Sequence, residues 1–346
     1  MILKNLSEKS CEWLNSDTAT PFISTRIRYA RNLAGFVFPS RANPSEQLKA
    51  RNAVFRALVK LPEWERYEKI EMEELDITDR RLLMERHMAS YDLVFTERVS
   101  GLVIDKSGLM CIMLNEEDHL RIQVFARGLD FGGSSALGAG VSKEISSVLK
   151  FAFHPEFGYL TACPTNAGTG LRISFLAHLP ALSREGLIGE LMDSLGRIGV
   201  VMRGFYGEAT KPLGNFFQVS NQVTMGVTED EITEKLTAIS NQLEKTERRS
   251  SDKLFKKNKM EILDRIYRSY GILQFARKLS YEELMSCVSD IRWGLREGMA
   301  IPVGGDKIND LIMLAQPAHI EERAEKNLTP DERDVLRAEF VKQILN

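Results

Sequence analysis

Residues 102–125 constrain the fold more than any other stretch. Leu102-Val103-Ile104-Asp105 and Leu109 to Leu114 are apolar runs of strand length, with only Lys106-Ser107-Gly108 between them. So short a connection predicts a hairpin, which makes the pair antiparallel. The second run leads into Asn115-Glu116-Glu117-Asp118-His119-Leu120-Arg121 and then Ile122-Gln123-Val124-Phe125. If Glu117 to Arg121 stays extended, Glu117, His119 and Arg121 share one face, and Glu116, Asp118 and Leu120 the other. A carboxylate and an arginine fixed on one strand face suit a site that handles an anion and a cation together. Alone, the stretch also reads as an acidic turn with solvated charges.

The other elements follow from local signals. Phe22 to Asn32 is a β-branched and aromatic strand carrying Arg26, Arg28 and Arg31. Three arginines without an interleaved acid repel one another, so an anionic ligand would suit them better than each other. Asn43-Pro44-Ser45-Glu46 opens a helix, and Thr78 is expected to cap another through Met88. Phe131 to Gly138 reads as a Gly/Ser loop, followed by a helix from about Val141 to Phe151. It lacks the lysine of a P-loop and the GxGxxG spacing of a dinucleotide turn, so it is given no nucleotide role. Further strands are expected at Gly158 to Ala162, Leu171 to His178, Val200 to Arg203 and Phe216 to Ser220. Ser183 and Thr228 open helices, the latter to about Arg249.

Strands arrive as hairpins and neighbours mixed with helices, not as βαβ repeats. The expected fold class is therefore α+β, a largely antiparallel sheet flanked by helices. A polar break at Arg248-Arg249-Ser250-Ser251-Asp252 divides it from a smaller all-α part, giving domains at 1–250 and 251–346. The net charge of −2 offers no basic footprint for nucleic acid. Cys11, Cys111, Cys163 and Cys287 have neither disulfide nor metal spacing. With no signal-peptide core and no run of membrane-span length, the expected setting is the cytoplasm, without membrane contact.

The polar breaks supply Arg26, Arg28, Arg121, Arg172 and Arg203, two carboxylates, Glu117 and Glu208, and a loop cysteine, Cys163. Five converging arginines would cradle a triphosphate and neutralise charge on a transferring phosphoryl group. Carboxylates would grip a guanidinium bidentately and take up its proton during attack.

The motifs Ser24-Thr25-Arg26-Ile27-Arg28, Asn115 to Arg121, Cys163-Pro164-Thr165-Asn166 through Arg172, and Arg203-Gly204-Phe205-Tyr206-Gly207-Glu208 resemble, in order, those of the phosphagen (guanidino) kinase family. Within it, the resemblance is to the bacterial protein-arginine kinase branch. It implies ATP contacts at Ser24 to Arg28, His87, Arg121, Arg172, Ile173, Ser174, Phe175 and Leu176, and at Arg203 to Glu208, with His87 near the adenine. It implies catalytic carboxylates at Glu117 and Glu208 and a reactive thiol at Cys163; an inert thiol stays open as the alternative. Leu176 stands where some members have a second adenine-contacting histidine, and Ala209 follows Glu208 where metazoan members carry histidine.

Small-molecule guanidino kinases have a helical domain before this region, whereas only about two dozen residues precede the first motif here. A more open site would admit an arginine attached to a protein. After Arg249 the chain resembles the helical dimerisation region of the protein-arginine kinases. Its Arg333, Asp334, Arg337 and Ala338 match an RDxxRA motif that would bind phosphoarginine or a partner; a solvated, ion-paired helix is the alternative.

The reading is an ATP-dependent kinase for arginine side chains in proteins, using Mg-ATP, with no protein-borne metal site. The resemblance implies a homodimer, protein substrates with exposed arginine, a zinc-binding activator protein and an unfoldase-protease. It also implies a part in stress response and in marking proteins for degradation. A kinase for free arginine and a non-catalytic phosphoarginine adaptor are the rivals.

Overall fold

The computed structural model describes residues 6–61, 63–205 and 213–346. Among these, eight strands form one sheet in which every neighbouring pair is antiparallel. β1 (Phe22–Arg31) lies near the middle. α1 (Pro44–Leu58), with its Asn43–Glu46 capping box, leads to β2 (Tyr67–Glu71). Next come α2 (Ile77–Glu85), α3 (Tyr91–Phe95), and the meander β3 (Gly101–Asp105), β4 (Met110–Leu114), β5 (Leu120–Arg127). The cap of α2 is Asp76, which accepts from the Asp79 amide, and not Thr78.

α4 (Phe131–Val148) replaces the expected Gly/Ser loop. Asp130 caps it through the Gly133 amide, and Gly138 faces Tyr29 so closely that a Cβ would lie 2.8 Å from the ring. Of the glycines that suggested a loop, Gly138 permits the helix–sheet approach. β6 (Phe153–His154) and β7 (Gly158–Tyr159) form a small separate hairpin, shorter than the strand expected at 158–162. β8 (Leu171–His178) follows, then α5 (Pro180–Arg184) and α6 (Ile188–Arg197), two helices where one was expected. β9 (Val200–Gly204) and β10 (Phe216–Asn221) close the sheet in the order β2-β3-β4-β5-β1-β8-β10-β9.

α7 (Glu229–Phe275) carries the chain helically across the expected boundary. It runs through 248–252, and its one non-helical residue is Asn258. Ser250 and Ser251 are buried rather than solvated, and Ser251 accepts from the Trp293 indole at 2.8 Å. α8 (Tyr281–Arg296), α9 (Gly305–Leu314), α10 (Pro317–Ala324) and α11 (Pro330–Leu345) complete the chain.

Both faces of the sheet are buried, which explains why β3 and β4 are apolar throughout instead of alternating. One face packs Ile27, Val103, Ile173 and Val219 against α1, α4 and the first half of α7. The other packs Leu102, Ile104, Met113 and Leu176 into a core shared with Trp13, Ile266, Ile291, Ile312 and Val341. The C-terminal helices therefore share a continuous core with the sheet. His178 of β8 reaches Ser289 of α8 at 2.8 Å, and Arg296 pairs with the buried Glu247 at 2.8 Å.

Candidate active site

Strand register puts the five arginines on one face. Across the sheet Arg28 lies opposite Arg172, Ala30 opposite Arg121, and Gln218 opposite Arg203. Side chains two residues apart point the same way, so Arg26 joins Arg28. Thr25, Ile27 and Ile173 point to the other face and are buried there, so their side chains do not reach the arginine side. Arg31 also departs from expectation. It turns away, stacks 3.6 Å over Tyr159 and donates to Ser142 and Thr169.

Arg26, Arg28, Arg172 and Arg203 line one cavity of about 540 Å³ together with His87, Phe205, Gln218 and Ser220. Among the described residues no carboxylate pairs with Arg26 or Arg28, and the Nε of each lacks a hydrogen-bond partner. Burial, followed by the charges of Arg121 and Arg172, lowers Arg26 to about 10. Arg28 is pulled well below the usual guanidinium range, by burial first and then by Arg26, Arg121 and Arg172. Partly desolvated, crowded cations are costly, and among the described residues only Glu116 offsets the charge on Arg28. An anion entering the cavity would relieve both the desolvation and the mutual repulsion.

The acidic stretch is a turn, not an extended run. Asn115 has φ +56, strand alternation stops at Leu114, and it resumes at Leu120. The expected sharing of one face by Glu117, His119 and Arg121 is therefore overturned. His119 is buried; its Nδ1 accepts from the Leu33 amide (3.2 Å), leaving Nε2 to donate to the Val37 carbonyl (3.1 Å). Burial lowers its pKa to about 4. Asp118 accepts from Asn32 and from the Ala162 amide, pinning the loop that carries Cys163.

Glu116, not singled out as a site residue, is the deeper partner of Arg121 at 2.8 Å and accepts from Ser90 at 2.6 Å. Glu117 is half-buried, 3.5 Å from Arg121 and 3.3 Å from Asn166 Nδ2. Its carboxyl is raised above the ordinary value, chiefly by burial, with Arg121 opposing. Arg121 is thus held by acids beside the cavity and does not line it. Cys163 is half-buried at the start of the Pro164–Asn166 turn, its Sγ 3.0 Å from Thr165 Oγ1. Tyr206, Gly207, Glu208 and Ala209 lie outside the described residues.

His87 has φ +58 and is buried between Trp13 and Phe205, with ring centroids at 5.8 and 4.9 Å. Burial, with Arg26 and Arg28 nearby, lowers it to about 3, so the ring is neutral. A narrow extension of the cavity is lined by Trp13, Ser24, Ser174, Phe175 and Leu176. Gly204, next to Phe205, pairs with Phe217. Trp13, stacked 5.3 Å from Phe125, and Gln218 were missed. Gln218 was legible as a polar residue on the inward face of an otherwise apolar strand; Trp13 carried no local signal.

A family model described as the ATP:guanido phosphotransferase C-terminal catalytic domain matches residues 49–250. A second, the protein-arginine kinase McsB C-terminal domain, matches 259–346. The protein-arginine kinase of Syntrophomonas wolfei subsp. wolfei is 37% identical over 99% of this chain and 98% of its own. The chain belongs to the protein-arginine kinase family of ATP:guanido phosphotransferases.

In this family, the protein-arginine kinase of Geobacillus stearothermophilus is 38% identical over 97% of this chain and 92% of its own. Among solved structures, a duplicated taurocyamine kinase from Schistosoma mansoni is 26% identical with a TM-score of 0.59, covering 70% of this chain and 35% of that one. Lombricine kinase, 21% identical with a TM-score of 0.59 over 71% and 70%, shares the fold. The antiparallel sheet with flanking helices is thus the architecture of the phosphagen kinases.

The C-terminal motif is engaged inside the fold. Arg337 is buried: Nε donates to the Ala315 carbonyl (2.7 Å), and Nη1 to the Leu279 carbonyl (2.9 Å) and to Asp334 (2.5 Å). Arg333 pairs with Glu321 at 2.6 Å, and Ala338 is in the core. The pair expected to meet a phosphoryl dianion is occupied by internal acceptors.

Proposed function

We propose that this protein transfers the γ-phosphoryl group of ATP to arginine side chains of other proteins. The observation that carries the reading is the set of half-buried arginines, Arg26 and Arg28 without acid partners among the described residues, opening with Arg172 and Arg203 into one cavity, with Glu117 paired to the neighbouring Arg121. The triphosphate would lie on these arginines. Glu117, its pKa raised by burial, would accept the proton lost from the attacking guanidinium nitrogen. A nitrogen–phosphorus bond forms, the bond from the γ-phosphorus to the bridging oxygen breaks, and ADP leaves. Positioning and fixed charge supply the rate, since phosphoryl transfer asks little covalent chemistry of the protein. Asn166 links Glu117 to the Cys163 loop, so a thiolate there would help hold the acceptor, with Glu208 as second carboxylate.

Magnesium would arrive on the nucleotide. Among the described residues no cluster of three metal-ligating side chains occurs, and Mg²⁺ is commonly held by substrate phosphates and water. The division into a catalytic part, 1–250, and a helical part, 251–346, belongs to this proposal. So do the cytoplasmic setting, the zinc-binding activator, the unfoldase-protease and the part in degradation or stress response. A homodimer through α7 draws support from Met260, Tyr267 and Phe275, exposed apolar residues on its second half.

The test supplies Mg-ATP with either free arginine or an arginine-rich protein. Acid-labile phosphate on the protein is expected; phosphate on the free amino acid alone would favour a small-guanidine kinase.

A further inference from the structure

The cavity has two kinds of wall, and they come from different parts of the chain. Its arginines all belong to sheet strands. Much of its apolar lining comes from elsewhere: Met84 and Ala89 around α2, and Tyr281 and Pro317 from the C-terminal helices, with Gln316 beside them. A nucleoside triphosphate has the same division into a charged and a largely apolar end. Once the arginines take the phosphates, this lining is apolar surface left for the base and ribose, alongside His87 and Phe205.

That lining is held rigidly. Tyr281 Oη donates to the Ile312 carbonyl at 2.7 Å, and Gln316 Nε2 donates to the same carbonyl at 3.2 Å. The Arg337 guanidinium lies 5.8 Å from the Tyr281 ring centroid. It also binds the carbonyls of Leu279 and Ala315, two residues before Tyr281 and one before Gln316. On the sheet side Glu85, itself a cavity residue, accepts from the Ala318 amide at 2.7 Å, the His319 amide at 3.2 Å and His319 Nδ1 at 2.8 Å. Its carboxylate therefore caps the start of α10 and fastens it to α2.

We infer that the C-terminal helices complete the ATP site, with Tyr281 and Pro317 contacting the nucleoside and Arg337 acting as a positioning residue for them. This rests on the nucleotide reading above and adds the chain segment that recognises the nucleoside.

Calorimetry on the full chain with two probes, Mg-ATP and inorganic tripolyphosphate, tests it. Tyr281→Ala should weaken ATP binding by about tenfold, the scale of a lost aromatic contact, and leave tripolyphosphate binding unchanged. Tyr281→Phe should keep most of the ATP affinity. If Tyr281→Ala binds ATP as the unaltered protein does, or loses both probes equally, the inference is overturned. Unaltered protein that binds neither probe would overturn the arginine cradle as well. Amide exchange in the unaltered protein needs no variant. Exchange across 313–320 should slow with ATP more than with tripolyphosphate, and equal slowing would overturn the inference.

Discussion

Two sets of arginines in this protein look alike in sequence and differ in what surrounds them. Arg26 and Arg28 lie two residues apart on β1, half-buried, with no acid paired to either among the described residues. Arg333 and Arg337 lie one turn apart on α11 and are bonded to Glu321, Asp334 and two backbone carbonyls. Both sets suited a phosphoryl group by spacing. Among the described residues only the second set is paired with acids, and those bonds tie helices together; the first set is what the proposed nucleotide site rests on. A buried cation with internal acceptors stabilises the fold, whereas one without them awaits an outside anion.

Substitutions can break this comparison. The largest effect is expected at the acid beside the first set. Glu117→Gln should lower phosphotransfer by roughly 10²–10⁴-fold, the usual weight of a general base, measured as acid-labile phosphate on protein. Because burial raises Glu117, activity should fall on acidification with a midpoint above the ordinary carboxylate value of 4.5. A midpoint at or below that value would remove Glu117 as the base.

The next pair of variants opposes the two sets directly. Arg337→Met should cost about 3 kcal/mol of folding stability, since it strands Asp334 and two carbonyls. Arg28→Met should abolish tripolyphosphate binding yet leave stability unchanged or higher, because it removes a buried, unpaired charge. Urea unfolding of both variants reads the contrast; equal destabilisation would erase it. Arg333→Ala, on a part-exposed pair, should cost about 1 kcal/mol.

The smallest effect concerns pH. His119 is lowered by burial from 6.5 to about 4. Between those values the unfolded chain binds a proton that the folded one refuses, so stability falls as pH drops through the window. His119→Gln should flatten that part of the slope between pH 7 and 4, followed by denaturant midpoints. An unchanged slope would show that the ring is not held neutral.

Much of this was legible from residues. The hairpin at 102–114, the helix starts at Asn43 and Thr228, and the alternation that puts Arg26 with Arg28 all rest on local physics, and the structure keeps them. The failures share a cause. Gly132, Gly133 and Gly138 signalled a loop, but the segment is helix, and Gly138 lets it approach Tyr29. Ser250 and Ser251 read as a polar break, yet both are buried within α7, and Ser251 accepts from a tryptophan 42 residues away. His119 and Asp118 were expected only to lie on opposite strand faces, and they are anchors for segments near residues 33 and 162. Local composition cannot reveal a distant neighbour, and these positions are decided by one.

The passage of α7 through 248–252 has a consequence of its own. Its 47 residues, at 1.5 Å per residue, amount to roughly 70 Å of helix, kinked at Asn258. Its first half contributes Leu236 and Leu243 to one hydrophobic cluster, and its second half contributes Ile262 and Ile266 to the other. Such a beam is a common spar: cutting the gene near codon 250 would strip apolar cover from one face of the sheet. Truncated protein should therefore be recovered as aggregate rather than as a working half.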